Sequence, residues 1–134
     1  MLDDAASASE FYKRALGATE LFRIADDDGR IVHAEISVAG AVVMVGDAAP
    51  PFAAPAASAS TTVGLHVYLD DVDSALTHAE QAGATILQPA QNMFYGDRAG
   101  MLRGPFGHIW VLLTHQEDLE PDEIKRRGEK LLHA

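Results

Sequence analysis

Residues 3–19 read DDAASASEFYKRALGAT, and residues 70–85 read DDVDSALTHAEQAGAT. Both stretches open on paired aspartates, continue with apolar residues at helical spacing and close on Gly-Ala-Thr. The step from the second aspartate to the glycine is 13 positions in one copy (Asp4 to Gly17) and 12 in the other (Asp71 to Gly83). Each copy spells a helix: an aspartate near the start offers an acceptor to the free N–H groups of the first turn, and a glycine stops it. Phe11, Ala15 and Leu16 share one face of the first helix, and Val72, Leu76 and Ala79 share one face of the second. Self-similarity on this scale means one structural unit built twice.

Working outward, each helix is followed by residues that alternate with period two. Residues 30–38, the turn Ala39-Gly40 and residues 41–45 form one hairpin. Residues 98–103, the turn Gly104-Pro105-Phe106-Gly107 and residues 108–113 form its counterpart. An opening strand, Thr62–Leu69, precedes the second helix, whereas only Met1 and Leu2 precede the first. The repeat therefore predicts a further strand upstream of Met1, or an edge of the first module that is covered in another way.

These units partition a single domain of 134 residues. Residues 1–46 are the first module, 47–61 an Ala/Pro/Ser linker, 62–118 the second module and 119–134 a C-terminal helix. That last helix carries Pro121 and acidic residues in its first turn and basic residues after them, the order that the helix dipole favours. With 48% apolar and 22% charged residues the chain falls in the globular range rather than the disordered or fibrous one. It has no cysteine, which excludes disulfides, thiol nucleophiles and thiolate metal sites and fits a cytoplasmic protein. A net charge of −10 repels phosphate backbones and anionic lipid, so neither nucleic acid nor membrane is an expected partner. Neither a phosphate-binding Gly-rich loop nor an HExxH or GxSxG motif is present.

Strand parity sorts the faces. Val32, Ala34, Ile36 and Val38 belong with the helices, which leaves His33, Glu35 and Ser37 on the other side. Leu65, Val67 and Leu69 likewise face helices, with Gly64, His66 and Tyr68 opposite. A sheet covered by helices on one face and gathering His, Glu and Tyr on the other is a binding-site candidate. Trp110 has the parity of the core. His108, His115 and His133 are scattered and make no metal site by spacing.

Phe11-Tyr-Lys-Arg-Ala-Leu-Gly-Ala18, His33-Ala-Glu35, Asp70-Asp-Val-Asp73, Tyr95-Gly-Asp-Arg98, Pro105-Phe-Gly-His-Ile-Trp110 and Thr114-His-Gln-Glu-Asp118, in this order, resemble the vicinal oxygen chelate superfamily. That group comprises glyoxalase I, bleomycin- and fosfomycin-resistance proteins and extradiol dioxygenases, and the likeness is nearest to its PhnB-like branch. The resemblance implies an α+β fold of two βαβββ modules forming a half-barrel cup, here with the first strand missing, and a homodimer. Family members that use a divalent metal carry His or Glu at four strand positions. The first would lie on the absent strand; the others fall at Met44, Gly64 (with His66 two residues on) and Val111. Neither Met44 nor Val111 offers the oxygen or nitrogen donor that a hard cation needs, so no metal cofactor is expected. Where the family usually has Asp-Pro before Phe106, this chain has Gly104-Pro105, a loss of turn support.

The expected function is that of a small-molecule-binding protein of the glyoxalase/bleomycin-resistance type, sequestering or carrying a ligand in a metal-free cavity, as in antibiotic resistance. Met44, Met101 and Val111 would supply apolar wall; Tyr68 and Tyr95 are the aromatics; His33, Glu35, His66, Asp97 and Arg98 are polar anchors. Tyr95-Gly-Asp-Arg98 would form a rim, with Arg98 meeting an anionic ligand or a carboxylate such as Glu35. The alternative is a lyase, isomerase or transferase with a reorganised, possibly metal-dependent site, in which a His33–Glu35 pair acts as an oriented general base.

Overall fold

A computed structural model describes residues 1–56 and 60–133; the part of the linker at 57–59 lies outside the described residues. The elements follow in the order α1 (Ala5–Leu16), β1 (Thr19–Ala25), β2 (Ile31–Val38), β3 (Ala41–Val45), β4 (Gly64–Tyr68), α2 (Val72–Gln81), β5 (Thr85–Asn92), β6 (Asp97–Arg103), β7 (Ile109–His115) and α3 (Pro121–Leu132). They form two open sheets, ordered β1-β2-β3 and β4-β7-β6-β5. The α+β architecture that the resemblance implies is present, as two open sheets with three helices. Among the described residues no helix is long and apolar enough to cross a membrane.

The repeat extends to individual hydrogen bonds. Asp4 Oδ1 accepts from Ser7 N at 3.0 Å, and Asp71 Oδ1 accepts from Ser74 N at 3.2 Å, so both helices start on the same side-chain cap. Ala5 N donates to Asp47 Oδ1 at 2.8 Å, and Val72 N donates to Thr114 Oγ1 at 2.9 Å. Leu2 N donates to Gly46 O at 3.0 Å, and Leu69 N donates to Leu113 O at 2.8 Å. Every atom pair has its counterpart 67 positions later, so the second module repeats the hydrogen bonding of the first.

One core serves both modules. Phe11 and Tyr12 of α1, Ile36 of β2, Leu76 of α2 and Trp110 and Leu112 of β7 are all buried in it. Tyr12 meets Trp110 edge-on at 5.2 Å between ring centroids, and Phe11 meets Phe106 at 6.3 Å, so α1 packs on the second module as well as its own. Trp110 is in the core, as its strand parity requires. The parity argument fails at Val32, which is exposed while Ile31 is buried. Pairing shifts by one residue between Ile24 (opposite His33) and Ala25 (opposite Ile31), and this bulge turns Val32 out of the core. In β1, unlike β2, no residue is buried. Helix α3 buries no residue and is held at the surface; Arg127 Nη1 donates to Glu117 Oε1 at 2.6 Å.

Candidate functional site

On the first sheet, His33, Glu35 and Met44 occupy the face turned away from the helices. Glu35 lies between Phe22 on β1 and Met44 on β3, and Ile24 lies opposite His33. His33 Nε2 is 3.1 Å from Glu35 Oε2, and the Phe22 ring leans on the imidazole at 5.7 Å. The surrounding side chains are apolar yet open to solvent: Met44 is 68% exposed, Val42 and Ile24 each 53% and Phe22 45%. A half-covered polar pair inside an uncovered apolar patch is a surface suited to a ligand or partner.

On the second sheet the open face is built in cross-strand rows. His66, Val111 and Met101 make one row, and Tyr68, Leu113 and Ala99 the next. Beyond these, Asp97 opposes His115. The Tyr68 hydroxyl donates to Asp97 Oδ2 at 2.7 Å, and this bond pushes the phenol pKa up, because the carboxylate holds its proton. His115 lies between two carboxylates, with Nε2 2.6 Å from Asp118 Oδ1 and Nδ1 2.8 Å from Asp97 Oδ1. A cavity of about 300 Å³ opens beside this cluster, lined by Tyr68, Tyr95, Asp97, His115, Asp118 and Ile124 among others. Asp97 is buried there, and burial raises the Tyr95 phenol. Sequence reasoning passed over His115. Counting outward from the Gly104–Gly107 turn would have placed it opposite Asp97.

The pairing with Asp118, and next with Asp97, raises the pKa of His115 above 6.5. Its contribution to stability is therefore complete below about pH 6.5 and fades as pH rises through the raised folded value. Burial lowers His108, whose contribution has the opposite sign: it is complete above about pH 6.5 and is lost as pH falls through the lowered folded value. The Tm difference between the unmodified chain and His115→Asn should thus narrow as pH rises above neutrality. A gap that stays constant from pH 5 to 9 would show that His115 does not titrate in this cluster.

The stretch Tyr95–Arg98 forms the turn into β6, but Arg98 reaches neither Glu35 nor the open face. Its Nε and Nη2 donate to both carboxylate oxygens of Asp73 on α2, at 2.7 and 3.0 Å, and Nη1 donates to Asn92 Oδ1 at 3.1 Å. Parity is the reason: Asp97 takes the open side, so Arg98 projects toward the helices, where it holds the Asp73 carboxyl below its ordinary pKa. Arg98→Ala should lower Tm slightly, since exposed pairs contribute little. It should leave binding at the open faces unchanged, which titration of the folded variant would check.

The positions at which the family's metal ligands would fall do not suit a divalent ion. Met44 presents a thioether beside Glu35, Gly64 presents no side chain opposite Ile109, and Val111 presents an isopropyl group between His66 and Met101. Among the described residues no three His, Asp or Glu side chains converge as metal ligands.

A larger cavity, about 520 Å³, lies between β3 and β4. Val43, Met44 and Val45 line one side, Val63 and Leu65 another, together with Tyr12, His108 and Trp110. His108 Nδ1 is buried with no hydrogen-bond partner, and the Tyr12 hydroxyl is the group beside the buried Trp110 side chain.

Comparison with known proteins adds the following. The family model described as Glyoxalase/Bleomycin resistance protein/Dioxygenase superfamily matches residues 1–112. An uncharacterized protein of Mycobacterium bovis is 36% identical over 130 residues, covering 93% of this chain and 86% of that protein. Among solved structures, TioX from Micromonospora sp. ML1 is similar with a TM-score of 0.67 and 29% identity, over 88% of this chain and 93% of the other. A PhnB protein from Bacillus cereus is similar with a TM-score of 0.61 and 20% identity, over 85% of this chain and 94% of the other, a likeness of fold alone.

Proposed function

Because this chain belongs to the glyoxalase/bleomycin resistance protein/dioxygenase superfamily, we propose that it binds a small, partly apolar molecule on its open sheet faces without a bound metal. One observation carries this reading: the His33–Glu35 pair sits among the exposed side chains of Phe22, Ile24, Val42 and Met44, where a ligand could bury apolar area against oriented polar groups. His66 and Tyr68 on the second sheet are the further anchors in this reading, with Val111 and Met101 as apolar wall.

An apolar anilinonaphthalene dye is a suitable probe. In EDTA the unmodified chain should bind it saturably, and Met44→Glu should weaken that binding at least tenfold at unchanged Tm. Absence of saturable binding, or binding that needs added divalent ion, would overturn the proposal. Dialysed protein should also contain no stoichiometric metal. Elemental analysis finding near one Zn, Ni, Mn or Fe per chain would favour an enzyme instead.

The 3.1 Å contact between His33 and Glu35 supports a second reading, a lyase, isomerase or transferase in which Glu35 orients His33 as general base. Recovery of a chemically altered ligand, lost in His33→Ala, would decide for it. A cytoplasmic homodimer belongs to the same proposal. The uncovered edge strand β1, with Leu21, Phe22 and Ile24 exposed, supports it, and sedimentation velocity tests it.

A further inference from the structure

Asp97, at the start of β6, is a buried carboxylate with both oxygens engaged. Its Oδ2 accepts from the Tyr68 hydroxyl at 2.7 Å, and its Oδ1 is 2.8 Å from His115 Nδ1. The phenol fixes the carboxylate and the carboxylate fixes the ring, so Nδ1 carries a proton and Nε2 is left as the outward nitrogen. The partner on Nε2 is of another kind. Asp118 Oδ1 reaches it at 2.6 Å, yet the Asp118 side chain is fully exposed and sits in the segment between β7 and α3. A pair with one member in open solvent adds little stability and is readily exchanged.

Both residues line the cavity of about 300 Å³, a volume at the lower end of ligand pockets. Leu119 and Ile124 supply its apolar wall and Tyr68 and Tyr95 its aromatic one. The local charges nearly cancel. Asp97 faces the imidazole, and Glu117, which also lines the cavity, is paired with Arg127 Nη1 at 2.6 Å. With His115 protonated, Asp118 is the one carboxylate in excess, so exchanging it for the carboxylate of a ligand leaves the local charge unchanged. Charges elsewhere on this acidic chain act weakly, because exposed charges beyond about 8 Å are screened at physiological salt.

We propose that His115 Nε2 is a carboxylate-binding subsite for a small acid with one ring or a short apolar chain, and that Asp118 is the internal carboxylate that occupies it. A ligand takes its place as Asp118 turns into solvent: Nε2–H donates to the incoming carboxylate, and the apolar body lies against Tyr68, Tyr95, Leu119 and Ile124. The site is at the far end of the second sheet and does not rest on the His33–Glu35 patch. Because the donor is an imidazolium whose pKa Asp118 and Asp97 hold above 6.5, affinity is full below that value and falls as pH rises through the raised one. A ligand carboxyl, with an ordinary pKa near 4, stays ionised throughout.

Benzoate is the probe, benzamide is its uncharged counterpart, and the His115 ring signals in NMR spectra report occupancy. At pH 6 benzoate should shift those signals saturably in the unmodified chain. Asp118→Ala should bind it at least fivefold more tightly, since the internal competitor is gone. Raising the pH to 9 should weaken binding at least tenfold, and His115→Asn should abolish it. Equal affinity in Asp118→Ala and the unmodified chain would overturn the proposal. So would benzamide binding as tightly as benzoate, an affinity constant from pH 6 to 9, or His115 signals that benzoate does not move. Asp118 is exposed, so this test holds even if His115→Asn fails to fold. The dye reports on the first sheet and benzoate on the second, so failure of one reading is seen apart from failure of the other.

Discussion

Replacing Trp110 with alanine is expected to remove about 3–5 kcal/mol of folding stability, the range for a fully buried large aromatic. Trp110 is 1% exposed and meets Tyr12 edge-on at 5.2 Å, so its ring is the contact through which α1 of the first module packs on β7 of the second. Burial is deep enough there to push the Tyr12 hydroxyl up to about 12. The loss on truncation is mainly packing, since the indole ring is buried against the Tyr12 ring. Trp110→Phe should therefore cost far less than Trp110→Ala. Urea unfolding at fixed pH measures both. A loss below about 1 kcal/mol for the alanine variant would mean that the two modules do not share this core. Against a total of about 5–15 kcal/mol for an ordinary domain, the expected loss is large enough to leave the chain marginally folded.

Gly96→Ala should have the next largest effect, about 2–4 kcal/mol, from backbone strain together with overpacking. Gly96 has φ +95°, and an added Cβ would stand 2.6 Å from Glu117 O and 3.1 Å from Glu117 Cγ. The oxygen belongs to the backbone and cannot swing aside. Its position is also set by Gly96 itself, whose carbonyl accepts from Gln116 N at 2.9 Å and Glu117 N at 3.0 Å. The turn thus ties the start of β6 to the segment after β7. Disturbing it should loosen both the Asp97–His115 contact and the Glu117–Arg127 pair that holds α3. Gly40→Ala is the control: φ is +85° there and an added Cβ meets nothing within 4 Å, so only the left-handed strain of about 1–2 kcal/mol is expected. Equal losses at the two sites, by thermal or urea unfolding, would show that the contact with Glu117 does not matter.

Much of the architecture is legible in the chain because its signals are local. Asp4 and Asp71 cap their helices through Ser7 and Ser74, three residues away in each case, and the spacing of Phe11, Ala15, Val72, Leu76 and Ala79 alone sets their buried faces. The hairpin turns at Ala39-Gly40 and Gly104–Gly107 set strand direction and register within a few residues. The candidate site is less legible. Parity correctly separates His33 and Glu35 from Ala34 and Ile36, yet it misplaces Val32 because a bulge depends on how β1 pairs with β2. It offers no partner for Arg98, since Asp73 is 25 residues away on another element, or for Tyr68, which finds Asp97 29 residues on.

By itself, then, the sequence determined an α+β architecture with two similarly capped helices, the core role of Trp110 and the lack of an oxygen or nitrogen donor for a hard cation at Met44 and Val111. Periodicity, capping and donor chemistry all act over a turn or less. Only the tertiary structure decided that Arg98 braces β6 against α2, that His115 stands between Asp97 and Asp118, and that a cavity lined by Tyr12, His108 and Trp110 opens between β3 and β4. Each depends on which distant segments meet. That choice is made by the packing of one shared core and the register of its sheets, and no local pattern carries it.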